Sequence, residues 1–292
     1  MTAVPRPLAF LASRIRLEER LLLDELDRRS VPVQVIDTRT AVFPLTGSYR
    51  GVFSREISHQ RNVYAARLLE HAGLRVVNSA AVIGLCGDKL RTTLALENAG
   101  LPVPRWFASL TPQAAVDHLP SFGFPAVIKP LTGSWGHLAA RVTDANMAEA
   151  VLEHRDALPG PAHQITYVQE YIDKPGRDIK AYVMGDEVAG AIYKVSPHWR
   201  TNTARGGQAA PCPLDDELVK LLRGAAAAAG PGVLGIDVIE DRDGARYVNE
   251  VNHTPEFHGA IEVLGVDLVG RYVDYVLAEL SDTRADRDRS SR

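Results

Sequence analysis

The sequence VLGIDVIEDRDGARYVNEVN, which is residues 233–252, gives the clearest indication of both the fold and the chemistry. Two apolar strands flank the polar turn 241–244, and this pattern predicts a β-hairpin. Glu250 and Asn252 are two positions apart in the second strand, so their side chains point to the same face of the sheet. Pairing of the two strands brings Asp237 alongside them. The hairpin is therefore predicted to gather three oxygen-bearing side chains on one face.

These side chains match the ligand preferences of a magnesium ion. Two carboxylates and one amide oxygen suit Mg²⁺, a hard cation that usually shares its coordination shell with waters and phosphates. Asp237, Glu250 and Asn252 are accordingly the predicted metal ligands, and His253 follows them directly in the chain. The alternative is the polar side of an ordinary hairpin, because an antiparallel sheet commonly has one face in water.

Two lysines upstream suggest that the metal accompanies a polyphosphate. Lys129 follows a buried-looking apolar run at 124–128, where an unpartnered lysine is unusual. Lys89 stands at the start of a predicted helix, where a cation is disfavoured unless an anion is close. Phosphate groups would supply that anion. Each lysine taken alone is equally compatible with a surface position in which its aliphatic stem packs on apolar neighbours.

Two glycine-bearing loops are further candidates for the site. In the loop 132–136, glycines allow backbone N–H groups to approach phosphate oxygens, although the loop fits neither the Walker A pattern nor the nucleophile-elbow pattern. In the loop 202–207, Arg205 suits a planar anion or a developing phosphoryl charge. Either loop is also compatible with an ordinary turn or an exposed connection.

The composition is that of an ordinary globular protein. The chain has 292 residues, of which 46% are hydrophobic and 24% charged, and this length accommodates two or three lobes. A formal net charge of −3 gives no reason to expect nucleic acid or a membrane as a partner. Cys86 and Cys212 provide no disulfide framework, and no stretch reaches the ~20 apolar residues that span a bilayer. Residues 1–7 lack the apolar run of a secretory signal, so we expect a cytoplasmic protein.

The order of apolar runs predicts an α/β protein. Near the beginning of the chain, strands at 8–12, 31–36 and 74–77 alternate with helices at 16–29 and 61–71. Such alternation is typical of a parallel sheet with crossover helices.

Shifts in pattern divide the chain further. We predict an N-terminal domain at 1–86, a central unit at 87–168 and a C-terminal unit at 169–281. The tail 282–292 contains Asp, Arg and Ser without apolar partners, so it is predicted to be disordered.

The motifs also occur in the order of a known superfamily, ATP-grasp. They are Val77-Asn78-Ser79, Cys86-Gly87-Asp88-Lys89, Leu101-Pro102-Val103-Pro104, Val127-Ile128-Lys129-Pro130, Gln169-Glu170-Tyr171-Ile172, Asn202 with Arg205-Gly206-Gly207, and Glu250-Val251-Asn252. Over residues 7–280 the chain resembles the LysX- and ArgX-type ligases of lysine and arginine biosynthesis, in the branch that contains the ribosomal-protein glutamate ligases. The segments 174–178 and 198–208 carry the closer likeness. The resemblance implies an ATP-grasp fold preceded by a Rossmann-like pre-ATP-grasp domain.

The resemblance also implies roles for individual residues around ATP and Mg²⁺. The implied ATP contacts are Lys89, Lys129, Gly133, Ser134, Trp135, Gly136, Gln169, Glu170, Tyr171, Ile172, Asp178 and Asn202. Among them, 169–172 would hold adenine and Asp178 would lie near the ribose. Asp237, Glu250 and Asn252 would bind Mg²⁺, while Asn202 and Arg205 would act catalytically on the transferring phosphoryl group.

The implied reaction is amide formation through an acyl-phosphate. The carboxylate would be that of the C-terminal Glu side chain of a small acidic LysW-like carrier protein, and the amine that of glutamate or 2-aminoadipate. The implied substrate contacts are Lys194, Arg205, Gly206, Gly259 and Ala260. In this family the dipeptide that follows the 256–258 step tracks the amino acid. Here it is Gly259-Ala260, which matches neither known pattern and leans only weakly toward glutamate.

Other functions remain open at the level of sequence. A ribosomal-protein-type glutamate ligase needs the same ATP site, and a non-catalytic nucleotide-binding regulatory module shares part of it. A ligase that acts on a free small molecule is a further alternative. A charge-stabilising Arg205 beside the predicted metal ligands favours chemistry, because a module that only binds has no need of it. Resemblance to the branch also implies a homo-oligomer, either a dimer or a tetramer.

Overall fold

The computed structural model describes residues 6–133, 136–201 and 207–281. The predicted disordered tail, 282–292, lies outside these residues. The strands are β1 (Leu8–Leu11), β2 (Val33–Ile36), β3 (Gly51–Ser54), β4 (Val76–Val77), β5 (Trp106–Ser109), β6 (Ala126–Lys129), β7 (Ala140–Val142), β8 (Thr166–Glu170), β9 (Arg177–Met184), β10 (Glu187–Val195), β11 (Gln208–Pro211), β12 (Val233–Glu240) and β13 (Arg246–Asn252). The helices are α1 (Leu17–Arg28), α2 (His59–His71), α3 (Ala80–Cys86), α4 (Lys89–Asn98), α5 (Pro112–Phe122), α6 (Ala145–Asp156), α7 (Asp216–Ala229), α8 (His258–Leu264) and α9 (Leu268–Ser281).

The N-terminal sheet is parallel, with the strand order β2-β1-β3-β4. The prediction of an α/β fold is confirmed here, because strands and helices alternate as the apolar runs indicated. The sequence analysis missed β3, whose four residues GVFS are all buried beside β1. A buried strand of this length has no alternation of apolar and polar residues, so its periodicity gives no signal.

The middle sheet is antiparallel, with the order β5-β8-β6-β7. Helices α5 and α6 cover one side of it, and Leu119 and Leu152 are buried in the core between them. The sequence analysis missed α5, which begins at Pro112 and contains Pro120. Proline is well tolerated at the first helical position, since the N–H that it lacks has no partner within the helix. The side chain of Thr111 also caps this end by accepting a hydrogen bond from the Ala114 N–H at 3.3 Å.

The C-terminal sheet is antiparallel, with the order β11-β10-β9-β12-β13. Alternation along β9 separates its two faces. Ile179 and Ala181 are buried in a core that also contains residues of α7, whereas Asp178 and Lys180 line cavities on the opposite face. The predicted hairpin is confirmed as β12 and β13. Its polar face, together with the middle sheet, positions the candidate site.

Helix α9 connects the N-terminal and C-terminal sheets. It contacts α1, β3, β4 and β9, and its residues Tyr272 and Val276 are buried in a core shared with Phe10 and Phe53 of the N-terminal sheet. The sequence analysis assigned no element between 253 and 280, so it missed both α8 and α9. Within residues 6–133, 136–201 and 207–281, no helix has the length and apolar character needed to cross a membrane.

Truncating Leu222 tests the packing of α7 on the C-terminal sheet. This side chain is fully buried, so Leu222→Ala is expected to lower the free energy of unfolding by about 2–5 kcal/mol through lost burial and an incompletely filled cavity. The measurement is urea unfolding followed by circular dichroism. Lys220→Ala on the exposed side of the same helix is the control and should change stability by less than about 0.5 kcal/mol. Equal effects of the two substitutions would contradict this packing.

Candidate active site

The three predicted metal ligands converge on the polar face of the hairpin. Asp237 on β12 lies directly opposite Glu250 on β13, and Gly235 lies opposite Asn252. The Asn252 side-chain amide donates a hydrogen bond to Asp237 Oδ2 at 2.9 Å. All three predicted ligands line the same cavity. The structure therefore brings together the residues that strand alternation and pairing had grouped.

Lysine side chains surround the two carboxylates. Lys194 Nζ donates to Asp237 Oδ1 at 2.5 Å, and Lys89 Nζ lies 3.5 Å from Glu250 Oε1. Burial raises the pKa of Asp237, but the ammonium groups of Lys194 and Lys180 outweigh burial and hold this pKa below its usual range. Burial lowers the pKa of Lys194, and the Asp237 and Asp178 carboxylates outweigh it, so the net pKa is raised. Asp237 and Lys194 are thus a charged pair.

The donor set of this face fits a magnesium ion that is completed by phosphates. It offers two carboxylates and one amide oxygen, and Mg²⁺ is commonly held in proteins by one or two carboxylates together with waters and substrate phosphates. Within the described ranges, no group of three or more His, Cys, Asp or Glu side chains could hold a metal by itself. A resident metal held by protein groups alone therefore finds no support among these residues, whereas a nucleotide-borne Mg²⁺ suits them.

Lys129 extends from the end of β6 toward the hairpin. Its ammonium donates to the Gln169 side-chain oxygen and to Asn249 Oδ1, the latter at 2.8 Å. Burial lowers the pKa of Lys129 to about 8, with Glu250 opposing the shift. Lys129 therefore retains hydrogen-bonding partners, and an anionic ligand beside it would stabilise its charged form.

Asn249 reaches this site because the β12–β13 ladder is irregular. The register shifts between Asp237 and Val238, so that Asp237 pairs with Glu250 and Val238 pairs with Val248. Asn249 is the extra residue of a β-bulge, which re-aims side chains that regular alternation would send to opposite faces. Asn249 and Glu250 consequently line the same cavity. The sequence analysis missed Asn249 because it assumed an unbroken alternation along β13.

Lys89 begins α4 and contacts the glycine loop. Its ammonium donates to the Gly133 carbonyl at 2.7 Å. A lysine at the start of a helix is disfavoured unless an anion lies nearby. Here Glu250 provides that anion, with its Oε1 3.5 Å from Lys89 Nζ. Gly133 and Gly136 both have positive φ, 123° and 65°, which side chains other than glycine rarely adopt. Ser134 and Trp135, two predicted ATP contacts of this loop, lie outside the described residues.

The end of β8 and the residues after it form another wall of the site. Gln169, Glu170, Tyr171 and Ile172 all line the cavity that contains Lys129, and the Tyr171 ring packs against the Arg141 guanidinium at 4.0 Å. Asp178 lines the same cavity, where its carboxylate accepts hydrogen bonds from Lys174 at 2.7 and 2.6 Å and from the Thr201 hydroxyl. Every predicted ATP contact among the described residues therefore borders one cavity.

Two cavities meet at this site. The first, of about 130 Å³, contains the residues just described, and the second, of about 390 Å³, lies between the hairpin and the N-terminal sheet. They share a set of lining residues: Gly133, Gly136, His137, Lys194, Asp237 and Glu250. Lys194, a predicted substrate contact, thus borders both spaces. This arrangement allows two ligands to meet above the carboxylates.

The second cavity has walls that the sequence analysis did not identify. Arg16 and His59 come from segments that follow β1 and β3, and Lys180 comes from β9. Within the described residues, the Lys180 ammonium has no hydrogen-bonding partner, and burial lowers its pKa despite the attraction of Asp237. No local motif marks these residues. Only Lys180 could have been predicted, because alternation along β9 places it on the same face as Asp178.

Some predicted residues stand apart from the two cavities. Gly259 and Ala260 lie at the start of α8 and line neither cavity, and Ala260 is fully buried in the core with Phe257. Asn202, Arg205 and Gly206 lie outside the described residues, so their predicted roles have no structural counterpart here.

Comparison with known proteins identifies the family. Residues 86–276 match the RimK-like ATP-grasp domain, and residues 8–85 match the LysX preATP-grasp domain. The chain belongs to the RimK-like ATP-grasp family. The resemblance on which the sequence analysis relied is therefore confirmed, as are the ATP-grasp fold and the assignment to ATP-dependent ligases.

Relatives of this ATP-grasp chain include two LysW ligases of Sulfolobus acidocaldarius. It is 33% identical over 273 residues to the glutamate–LysW ligase ArgX, covering 92% of this chain and 97% of the relative. It is 38% identical over 213 residues to the alpha-aminoadipate–LysW ligase LysX, covering 73% and 77%. Among solved structures, a RimK domain ATP-grasp protein from Sphaerobacter thermophilus superposes with a TM-score of 0.77 at 27% identity, covering 92% of this chain and 98% of the other.

Replacing Glu250 tests the metal assignment. Glu250→Gln removes a carboxylate but preserves the shape of the side chain, so Mg²⁺-dependent ATP turnover is expected to fall at least ~100-fold, because the charge that holds the metal is lost. The measurement is phosphate release across a Mg²⁺ titration, with circular dichroism to verify folding. Asp243→Asn in the turn of the same hairpin is the control and should leave turnover unchanged. Normal turnover in the Glu250 variant would remove this residue from the metal site.

Lys129 should couple nucleotide binding to proton uptake. Its pKa is about 8 in the free protein, and nearby phosphates would raise it. Above pH 8 the free amine must therefore gain a proton on binding, and affinity should fall by up to about tenfold per pH unit. Calorimetry at pH 9, in buffers of different ionisation enthalpy, measures this uptake. Lys129→Arg keeps its charge at all these pH values, so its binding should show no such uptake. Equal uptake by both proteins would contradict the assignment.

Proposed function

We propose that the chain uses ATP to join an acidic amino acid, through its α-amino group, to the side-chain carboxylate of a C-terminal Glu on a small acidic carrier protein. The observation that carries the proposal is the pair of cavities that share Asp237, Glu250 and Lys194. One cavity has the predicted ATP contacts and the other has room for an acceptor. The reacting groups of two ligands would meet above the shared residues.

The first cavity supports the binding of ATP. Lys89 and Lys129 would contact the phosphates or the adenine side, residues 169–172 would hold adenine, and Asp178 would lie toward the ribose. Asp237, Glu250 and Asn252 would hold Mg²⁺, which when bound offsets the negative charge of the phosphates. The chain's own contribution is to fix these groups on two sheets, so that little reorganisation is needed when the nucleotide binds.

The carboxylate must be activated before an amine can attack it. A carboxylate is a poor electrophile, so its oxygen first attacks the γ-phosphorus of ATP and ADP leaves. The amine nitrogen then attacks the acyl carbon, inorganic phosphate leaves, and the amine gives up a proton. Asn202 and Arg205 are proposed to stabilise the transferring phosphoryl group. Lys194 lines both cavities, so its ammonium group would offset negative charge where the phosphoryl group is transferred.

One cation that lines the second cavity suits an acidic substrate. The lining carries both signs of charge, because Arg16, Lys180 and Lys194 are accompanied by Asp237, Glu250 and Glu256. Arg16 is already paired with Glu256, but the Lys180 ammonium lacks a hydrogen-bonding partner within the described ranges. A carboxylate of the amino acid would supply that partner. Relatives named as glutamate–LysW and alpha-aminoadipate–LysW ligases support both the acidic amino acid and the carrier. Gly206 and Gly259 remain proposed contacts of the substrate, whereas Ala260 is fully buried in the core and would act on the substrate only through packing.

The decisive experiment is phosphate release with ATP, Mg²⁺ and a LysW-like carrier that ends in Glu, run separately with glutamate and with 2-aminoadipate. Intact-mass spectrometry of the carrier is the second readout. We expect one addition of a single amino acid, and the productive amino acid defines the substrate. A carrier that ends in Gln is the matched control and should stay unmodified, because it lacks the carboxylate that ATP must activate.

Other outcomes would contradict this proposal in distinct ways. Repeated additions to the carrier would favour a ribosomal-protein-type glutamate ligase. Phosphate release without a change in mass would retain the ligase chemistry but reject the carrier or the amine. Nucleotide binding without phosphate release under any of these conditions would favour a regulatory module.

A further inference from the structure

A buried arginine of the N-terminal sheet holds the loop that walls the second cavity. Residues 253–257, here called the 253–257 loop, connect the metal-site strand β13 to α8. Residues 253–256 of this loop line the second cavity. The position of the loop therefore affects the space in which the acceptor would lie.

Three carbonyl groups of the loop are each held by a side chain from elsewhere. Asn78 Nδ2 donates to the His253 carbonyl at 2.6 Å, and the Tyr182 hydroxyl donates to the Glu256 carbonyl at 3.1 Å. Between them, Arg55 Nη1 and Nη2 donate to the Pro255 carbonyl at 3.3 and 3.2 Å. Arg55 and Asn78 come from the ends of β3 and β4, so the N-terminal sheet supplies two of the three anchors.

Arg55 is itself held rigidly. Its side chain is fully buried, as is that of Glu19, and the two form an ion pair with Arg55 Nη2 at 3.0 Å from Glu19 Oε1. Arg55 Nη1 also donates to the Tyr272 hydroxyl at 3.1 Å. A planar guanidinium with several donors is suited to hold such partners in fixed directions. These contacts join α1, β3, α9 and the 253–257 loop.

A second arginine repeats the connection at the cavity surface. Arg16 donates to Glu19 at 2.9 Å and to Glu256 Oε1 at 2.8 Å, and both Arg16 and Glu256 line the second cavity. Glu19 is thus shared between a buried guanidinium and a guanidinium at the cavity. A continuous series of ion pairs therefore leads from the buried Arg55 through Glu19 and Arg16 to Glu256, which lines the second cavity.

We infer that Arg55 is a positioning residue for ligation, because it fixes the 253–257 loop and so sets where the acceptor amine lies relative to the activated carboxylate. The inference rests on the proposed function, because amide formation is its main readout. Arg55 is fully buried and lines neither cavity, so it would touch neither substrate. When the loop shifts, water is expected to attack the acyl-phosphate in place of the amine. This attack regenerates the carboxylate and releases phosphate, so that ATP is consumed without amide formation.

The test substitution is Arg55→Lys, which keeps a positive charge beside Glu19. Removing the charge altogether would leave Glu19 buried without compensation. A lysine ammonium cannot reproduce the guanidinium's simultaneous contacts with Glu19, Pro255 and Tyr272. Tyr272→Phe is a milder second variant, since it removes only the hydroxyl that accepts from Arg55, and it carries the test if Arg55→Lys does not fold.

Arg29→Lys is the matched control. Arg29 also joins a glutamate of α1 to a backbone carbonyl in the C-terminal part of the chain, with its guanidinium 2.6 Å from Glu25 Oε1 and 3.1 Å from the Gly270 carbonyl. It borders neither cavity. General loosening between α1 and α9 should therefore affect both variants, whereas loss of loop positioning should affect only the Arg55 variant.

Four readouts separate positioning from general stability. In Arg55→Lys, attack by the amine should slow about 10- to 100-fold, as expected for a misplacement of about 1 Å, so that the amide formed per ADP falls. The KM for the amino acid should rise, and the KM for ATP should stay unchanged. Hydrogen–deuterium exchange should accelerate in peptides that cover the 253–257 loop. Tyr272→Phe should change these quantities in the same direction by less, and Arg29→Lys should change none.

Failure of the inference differs from failure of the proposed function. If the wild-type protein forms amide but Arg55→Lys matches Arg29→Lys in all readouts, or raises both KM values equally, Arg55 is not a positioning residue. If the wild-type protein forms no amide with the carrier, the proposed function fails. Hydrogen exchange then still decides whether Arg55 fixes the loop, and unchanged exchange in Arg55→Lys would overturn the inference.

Discussion

Two carboxylates face each other across neighbouring strands at the centre of this protein. Asp237 and Glu250 are directly opposite in the β12–β13 ladder, an arrangement that is destabilising for like charges unless cations lie nearby. Lys194 and Lys89 provide that positive charge within the protein. The surrounding structure follows from this constraint, because the lysines must come from outside the hairpin: Lys194 comes from β10 of the same sheet, and Lys89 comes from the start of α4.

The same ion pairs that stabilise the free protein at this site would also take part in ligand binding. Lysines that stabilise the carboxylates in the free protein would also face phosphate groups and the magnesium ion that accompany them. The nucleotide and its metal would bring opposite charges together, so the arrangement can exchange its internal ion pairs for contacts with a ligand at a modest difference in electrostatic energy. This balance fits membership of an ATP-grasp family.

Sequence reasoning succeeded where local patterns determine the outcome. Strand alternation and hairpin pairing grouped Asp237, Glu250 and Asn252, and the unusual positions of Lys89 and Lys129 identified their approach to the same site. Arg55 and Arg16 could not be found in this way, because their contacts with the 253–257 loop join residues that are 200 and 240 positions apart in the chain and that only tertiary packing brings together. Helix α9 was missed although it forms the contact between two sheets, since no motif of the predicted chemistry falls on it.

The bulge at Asn249 serves the candidate site and is not needed for the pairing of the two strands. Val248 and Glu250 already pair with adjacent residues of β12, so the ladder would continue regularly if Asn249 were absent. The hairpin accommodates one residue more than its hydrogen bonding needs, and that residue provides a partner for Lys129. A chain shortened by this single position would retain its strand pairing and lose a contact of the nucleotide cavity. In a distant homologue that lacks this residue, we therefore expect the strand pairing to be the same and the ligand of the cavity to differ.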